Sequence, residues 1–485
     1  MGMIRRFRVP AANRAILADP PFDQIPELVR QNRKLLSRDD VRVGGLPLNE
    51  FRKQARAEVL GLFPSPTRGE GLGVKGSNDA PLLVTGHQPE LSHPGVWVKN
   101  FALNGLARRL GGIPLHLIVD NDTMKSATIT FPIWDEWKPE SVRLKSAAYD
   151  EFDVEQPWET RGVRDSGQWN VFVQRVADAA KGWGYEPILC SPLPRGSGAA
   201  GELAGTWSHR FTTLRRRFEH HWGCDNRELP VSILSQTDSF RRFVRHIADD
   251  ADCFRNAYNI SVHQYRRTYS LRSRSHPVPD LAKHELPFWV VDSSRRRAAT
   301  AADTGLLLRP RALTLTLFAR LCLGDFFLHG IGGGKYDEVT DALLRDYFGI
   351  EPPRYQVLSA TLHLPLKTFR STHDDVHRLH RRRRDLDWNP ERFIDLREAI
   401  GLKRRKSELL EHPPTGKAKR RAWFRELQEV KREIRQFVTA QISDTERKWA
   451  HARSEVMANS ILRRRDYSWV LYPEEVLRPF LQGFL

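Results

Sequence analysis

The chain has 485 residues, 40 % of them hydrophobic, which allows a sizeable core and is long for one domain. Its 77 Lys and Arg against 59 Asp and Glu leave a formal charge of +18, a weak pointer to nucleic acid because much of the excess is Arg on solvated helix faces. Cys190, Cys224, Cys253 and Cys322 are widely separated, which excludes a CxxC zinc knuckle or a disulfide framework, and no apolar run reaches the roughly 18 residues of a membrane span.

The opening MGMIRRFRVPAANRAI is basic without the apolar core of a signal peptide, and Arg6 stands where a myristoylation signal wants Ser or Thr. A cytoplasmic protein is predicted. Residues 1–80 read as a helical segment and linker: a helix from Pro26, another over Glu50–Leu60 capped by Asn49, then a Gly- and Pro-rich loop from Pro64 to Asp79. From Leu82 to Ser126 the pattern is strand, polar turn, helix, Gly111-Gly112 stop, strand and the acidic cluster Asp120-Asn121-Asp122. Such a βαβ unit predicts an α/β fold with a parallel sheet, whose ligands sit at the carboxyl ends of the strands.

Further strands are expected at Ala127–Ile133, Glu140–Leu144, Pro230–Ser235, His284–Val291 and Val357–Leu364, with Leu306–Pro310 another short run and Phe326–Leu328 leading into the glycines. Helices are expected before Trp183 and over Leu203–Trp222, Leu313–Leu323 and Asp341–Phe348, and Asp238 or Ser239 would cap another. This core spans 81–370. Over 371–465 glycine nearly vanishes and Lys and Arg exceed Asp and Glu by roughly ten. Sparse apolar residues on either side of His412-Pro413-Pro414-Thr415-Gly416 predict two long antiparallel helices, coiled-coil-like, and a tail over 466–485 that folds back on the body. The arm's charge fits a solvated face, an anion-binding surface or a dimer-forming surface.

Four groups of residues could carry chemistry. The turn Thr85-Gly86-His87-Gln88, with His93 six residues after His87, sets imidazoles and backbone NH groups at a helix start; an anion site and a capped turn both fit. Asp120, Asn121 and Asp122 could bind an amine, a ribose or a cation, or simply cap a turn. In His329-Gly330-Ile331-Gly332-Gly333-Gly334-Lys335-Tyr336 the P-loop pattern fails at both ends, leaving a second anion loop or a tight turn. His373 and His377 share a helix face but lack the glutamate of a zincin, and no metal site is expected.

In their order along the chain, TGHQ, a helix bearing Lys99, DND, ELPFW (Glu285 to Trp289), LLRP (Leu307 to Pro310), FLHGIGGGKY and Pro353-Arg354 resemble the bacillithiol-biosynthesis cysteine-adding enzyme family, the cysteine ligases. The resemblance covers most of the chain from Leu82. It departs at His87, where the family has Gln, at Asn121, where it has His, and near Gly334, where it carries Glu. It implies a Rossmann-like core of nucleotidyl-transferase type with an α-helical coiled-coil arm, often a dimerisation element. The implied activity is addition of cysteine to an amino-sugar acceptor such as a glucosaminyl-malate.

Carried over by position, His87, Gln88, Lys99, Asp120, Asp122, Gly330, Gly332 and Arg354 would line the cleft; His87, Asp120 and Asp122 are the expected catalytic residues, and Thr85, Gly86, Gln88, His93, Lys99, Asn121, Gly330, Gly332, Lys335 and Arg354 the expected substrate- or nucleotide-binding ones. Amide synthesis requires an activated carboxylate, so ATP would sit on the His87–Gly95 turn, with Asp120 or Asp122 orienting the amine or a Mg²⁺ ion. A protonated His87 would oppose developing phosphate charge. The competing expectation is a catalytically silent core that binds nucleotide, or nucleic acid through Arg381 to Arg384 on its basic arm.

Overall fold

Leu82, Leu83 and Val84 are fully buried, and they open the strand around which the main sheet is ordered. The computed structural model describes residues 7–64, 79–192, 205–394 and 399–485. The chain divides into two units, the first running to Phe131 and resuming over Ser146–Pro365 and Arg465–Leu485, the second comprising Pro132–Lys145 and Leu366–Arg464.

In the first unit, strand β1 (Ile16–Asp19) and helices α1 (Ile25–Leu36) and α2 (Leu48–Gly61) precede β2 (Leu82–His87), α3 (Pro94–Leu110) and β3 (Ile113–Ile118). Helix α4 (Trp207–His221) leads into β4 (Arg227–Pro230). Strands β5 (Glu285–Val291), β6 (Arg296–Thr300) and β7 (Leu308–Pro310) form a separate antiparallel sheet. Strand β8 (Phe326–His329), helix α5 (Ile331–Asp346) and strand β9 (Gln356–Ala360) complete the main sheet. Its order is β1-β9-β8-β2-β3-β4, with β1 antiparallel to β9 and the other pairs parallel. The fold is therefore mixed α/β with a six-stranded, mostly parallel sheet.

This order places the cleft. From β2 the chain steps to β3 on one side, and from β8 it steps to β9 on the other. Because parallel crossovers are right-handed, α3 and α5 leave on opposite faces, and both helices start beside the carboxyl ends of β2 and β8.

Helix α3 is set by its ends: the His93 side chain accepts from Gly95 N, Pro94 fills the first turn, and Gly111 at φ +59° stops it. Most of the helix is buried, because an aromatic layer covers the side away from the sheet. Trp97 packs at 4.6 Å from Trp469 and 5.4 Å from Trp222, ring centre to ring centre. Gly105 lets the chain near residue 484 approach so closely that an added Cβ would lie 2.0 Å from the Phe484 carbonyl oxygen. Gly105→Ala should therefore lower stability by about 2 kcal/mol or more in urea denaturation, and an unchanged midpoint would show that this contact is not formed.

Several expectations need correction. Residues before 64 are built into the first unit rather than prefacing it: β1 is a sheet edge, and the buried Asn32 amide donates to the Asp325 and Arg354 carbonyls at 3.0 and 2.8 Å. Helix α2 has no side-chain cap from Asn49. The linker beyond Pro64 lies almost wholly outside the described residues, as does the start of the helix expected from Leu203.

The strand expected at Pro230–Ser235 ends at Pro230, because Val231–Leu234 turns helical with Ser232 N held by the Asp120 carboxylate at 2.9 Å. Thr237, not Asp238 or Ser239, caps the next helix. ELPFW forms β5 outside the main sheet, where Pro287 lacks a strand donor and the pairing with β6 slips. Helix α5 starts at Ile331, ten residues before the expected Asp341, since a helix start tolerates glycines packed against their neighbours. A Cβ on Gly334 would lie 2.3 Å from Val357 Cγ2.

Among the described residues the second unit holds four α-helices where two helices were expected: α6 (His373–Trp388), α7 (Ile400–Glu411), α8 (Lys417–Gln436) and α9 (Thr439–Leu462). Helix α6 packs on α9, and α7 on α8. The turn at His412–Gly416 separates α7 from α8 as expected, but Asn389-Pro390 also interrupts the first run and Phe437-Val438 the second. Val438 and Ile442 close a small core with Leu386 instead of extending one stripe. Trp137 of the inserted segment stacks on Phe369 at 4.7 Å. Among the described residues, no helix is long and apolar enough to cross a membrane. Residues after 465, including α10 (Glu474–Gln482), belong to the first unit.

Candidate functional site

At the carboxyl ends of β2, β3, β8 and β9 lies a cleft of about 520 Å³ within the first unit. Strand β2 contributes Gly86, His87 and, just beyond it, Gln88; α3 contributes Lys99, with His93 at its cap. Asn121 and Asp122 follow β3, and Gly330 and Gly332 follow β8.

Lys99 dominates the electrostatics. Its side chain is buried, Nζ donates to the Gly86 carbonyl at 3.0 Å, and among the described residues it forms no ion pair with a carboxylate. Burial without a counter-charge pulls its pKa from 10.5 to about 8. His87, His93 and His329 also line this cleft. Burial and then Lys99 hold His87 well below its usual range, while burial and then Arg465 bring His93 to about 4. Both imidazoles are neutral at pH 7.

Their tautomers follow from their partners. His87 Nδ1 lies 3.0 Å from the Gln88 carbonyl and so carries the hydrogen, leaving Nε2 as an acceptor. His93 Nδ1 accepts from Gly95 N at 3.1 Å, leaving an Nε2–H donor. A protonated His87 is therefore disfavoured, first by burial and then by the buried Lys99 ammonium nearby.

The acidic pair divides. Asp122 lines the cleft, held by Gln88 Nε2 at 2.8 Å and Arg296 at 2.9 Å. Asp120 does not line it; its carboxylate accepts from Ser232 N and Oγ, and burial raises its pKa to about 6. Among the described residues no group of three or more His, Cys, Asp or Glu could hold a metal ion. Asn121 donates to the Pro310 carbonyl at 2.8 Å, while its buried Oδ1 has no protein partner among the described residues.

Other expected site residues lie elsewhere. Thr85 is beneath the cleft, its hydroxyl donating to the Leu328 carbonyl at 2.7 Å, so it ties β2 to β8. Lys335 is exposed and does not line the cleft; Tyr336 does. Arg354 is also exposed and outside it, its backbone engaged with Asn32. Gly330 and Gly332 do face open space, with nothing within 4 Å of an added Cβ.

Sequence reasoning missed four cleft cations or rings and one imidazole. Trp289 of β5 lies under two guanidinium groups, Arg311 at 4.0 Å and Arg296 at 4.7 Å from its ring centre. Arg465 reaches Ser359 Oγ and the Ala360 carbonyl, both at 3.1 Å, and its buried Nε has no partner among the described residues. The fifth is His329, whose signal was the histidine ending an apolar run just before the glycines. ELPFW and LLRP marked the neighbourhood of Trp289 and Arg311, but nothing local distinguished Arg296 or Arg465.

Lys99, Arg296, Arg311 and Arg465 thus line a cleft to which Asp122 contributes a carboxylate already paired with Arg296. Two helix starts add their partial positive charge, and the first NH groups of α5 have no side-chain cap. This arrangement suits an anionic group with several acceptor oxygens, such as a phosphate or carboxylate. Comparison with models of known protein families gave no match, and comparison with curated proteins found no significant relative.

Proposed function

We propose that the cleft binds an anionic small molecule and that the protein is an amide-forming ligase, adding cysteine to an amino-sugar acceptor of the glucosaminyl-malate kind. The observation that carries the anion site is Lys99, a buried ammonium that lacks a paired carboxylate among the described residues and sits where two helices begin. The choice of reaction rests on the resemblance in motif order. The reversal of strand order between β2 and β8 supports reading the sheet as a nucleotidyl-transferase-type Rossmann core. The paired helices of the second unit support a coiled-coil arm that could join two copies, and four free cysteines fit a reducing cytoplasm.

The residues fit a nucleoside triphosphate's phosphates: Lys99, His93 Nε2–H and the NH groups at Gly330 to Gly333 would hold them. Such a group supplies carboxylate activation when bound. Gln88, Asp122 and Arg296 form a braced wall that orients the remaining substrate. A small-molecule site is also favoured over nucleic acid because several arginines are already engaged. Arg215 lies between Glu219 and Glu228, Arg383 pairs with Glu446, and Arg435 pairs with Asp387.

Exchange of labelled pyrophosphate into ATP should depend on cysteine in the wild type and be lost in Lys99→Met. No exchange with any amino acid by folded wild-type protein would remove the adenylation branch of the ligase reading.

A further inference from the structure

We propose that His329 is the proton acceptor of this cleft, oriented by Asp337 and Arg320; its role in amide formation rests on the ligase reading above. His329 ends β8, is buried, and lines the cleft. Its Nε2 lies 2.8 Å from Asp337 Oδ2, an atom that also accepts from Arg320 Nη1 at 2.5 Å. Arg320 further bonds Asp341 at 2.7 Å and the Pro353 carbonyl, so its guanidinium is fixed and keeps Asp337 ionised. An ionised carboxylate only accepts, so Nε2 carries the hydrogen and Nδ1 carries the lone pair.

That lone pair is kept accessible by the backbone. An added Cβ on Gly333 would lie 2.7 Å from Nδ1, so glycine clears its approach at the uncapped start of α5. Phe327 and Tyr355 pack against the ring with centres at 4.3 and 4.9 Å and limit its rotation. The charged groups facing it are Asp337 from α5, Arg320 from the helical segment Ala319–Leu323 before β8, and Lys99 from α3; burial, opposed by Asp337, keeps the imidazole neutral and ready to accept. His87 is less suited, because its Nδ1–H meets a neutral carbonyl that stabilises an imidazolium less than a carboxylate does.

In the step inferred, the acceptor amine's lone pair forms the N–C bond to the activated cysteine carbonyl while an N–H proton passes to His329 Nδ1. The activating group leaves with the C–O electron pair. The imidazolium, held by Asp337, then returns its proton to that leaving group or to water.

Two measurements on the full chain test this. The first compares cysteine-dependent pyrophosphate exchange with cysteine transfer to glucosamine, used as the acceptor probe. In His329→Gln, which can still donate to Asp337, transfer should fall about 100-fold or more beyond any change in exchange. In Asp337→Asn, the acid limb of the transfer pH profile should move to lower pH, a change that mere bracing would not produce. Transfer by His329→Gln at the wild-type rate overturns the proposal.

The second is nitrogen NMR of ¹⁵N-histidine-labelled protein, assigned with His329→Gln. The expected state has Nε2 protonated and Nδ1 bare, with the Nδ1 signal moving on addition of pyrophosphate. If the wild type shows no exchange, the adenylation branch falls and this spectrum decides alone whether His329 is a cleft base. A protonated Nδ1, or one indifferent to pyrophosphate, overturns it.

Discussion

Lys99→Met should abolish pyrophosphate binding and at the same time make the protein more stable. In the wild type, the folded state holds this amine at about 8 against 10.5 for an ordinary lysine, so its charge at pH 7 is carried at a penalty of about 3 kcal/mol. Methionine has similar length and removes that penalty, apart from the lost bond to the Gly86 carbonyl. The sign also shows in pH dependence. Between about pH 8 and 10.5 the unfolded chain keeps the proton that the folded chain has lost, so this group adds stability as pH rises through that window, and the variant lacks the increment. Pyrophosphate affinity should fall as pH rises above about 8, where the ammonium is lost. Urea midpoints at pH 7 and 10, with calorimetric titration of pyrophosphate, check both effects; a variant less stable at pH 7 would sink the account.

Arg320→Met should act in the opposite direction, lowering stability at pH 7 by about 3–5 kcal/mol, because it leaves the fully buried Asp337 without its cation. In the wild type, burial alone would raise the Asp337 carboxyl, but Arg320 and His329 outweigh it and hold the group well below the usual carboxylate range. Its contribution is present above the ordinary carboxylate pKa and is lost as pH falls. In the variant the same carboxyl titrates above its unfolded value, so stability should rise as pH falls from 7 to 5. Denaturation at those two pH values would show the reversed slope. Arg320→Met combined with Asp337→Leu should recover much of the loss; no recovery would mean that Arg320 acts through Asp341 or the Pro353 carbonyl instead.

The parts of the fold written in local patterns were readable from sequence. Leu82–Val84, the capped helix after His93 and the acidic run after β3 are consecutive and carry their own stop signals. The main sheet's other neighbours were not readable in that way, because Ile16–Asp19 is short and pairs with a strand more than three hundred residues later. Four helices in the second unit were mistaken for two because Asn389-Pro390 lies in a charged stretch and Val438 keeps the apparent stripe. At the cleft, His87, Gln88, His93, Lys99, Asn121 and Asp122 come together, whereas Asp120 turns to Ser232 and Thr85 to Leu328. Spacing cannot say which of two carboxylates two residues apart faces the ligand. Nor could it bring Arg465 or Arg296 to a cleft defined hundreds of residues earlier.

The close seat of residues near 484 against Gly105, and of Trp469 against Trp97, bears on synthesis. Helix α3 carries Lys99, yet both of its faces are covered only after segments translated much later have arrived. During elongation a ribosome therefore holds a long chain whose Lys99-bearing helix is still partly bare. Chaperone contact should be greatest in that interval, and the ability to capture an anion should appear late, only after the residues near 484 have been made.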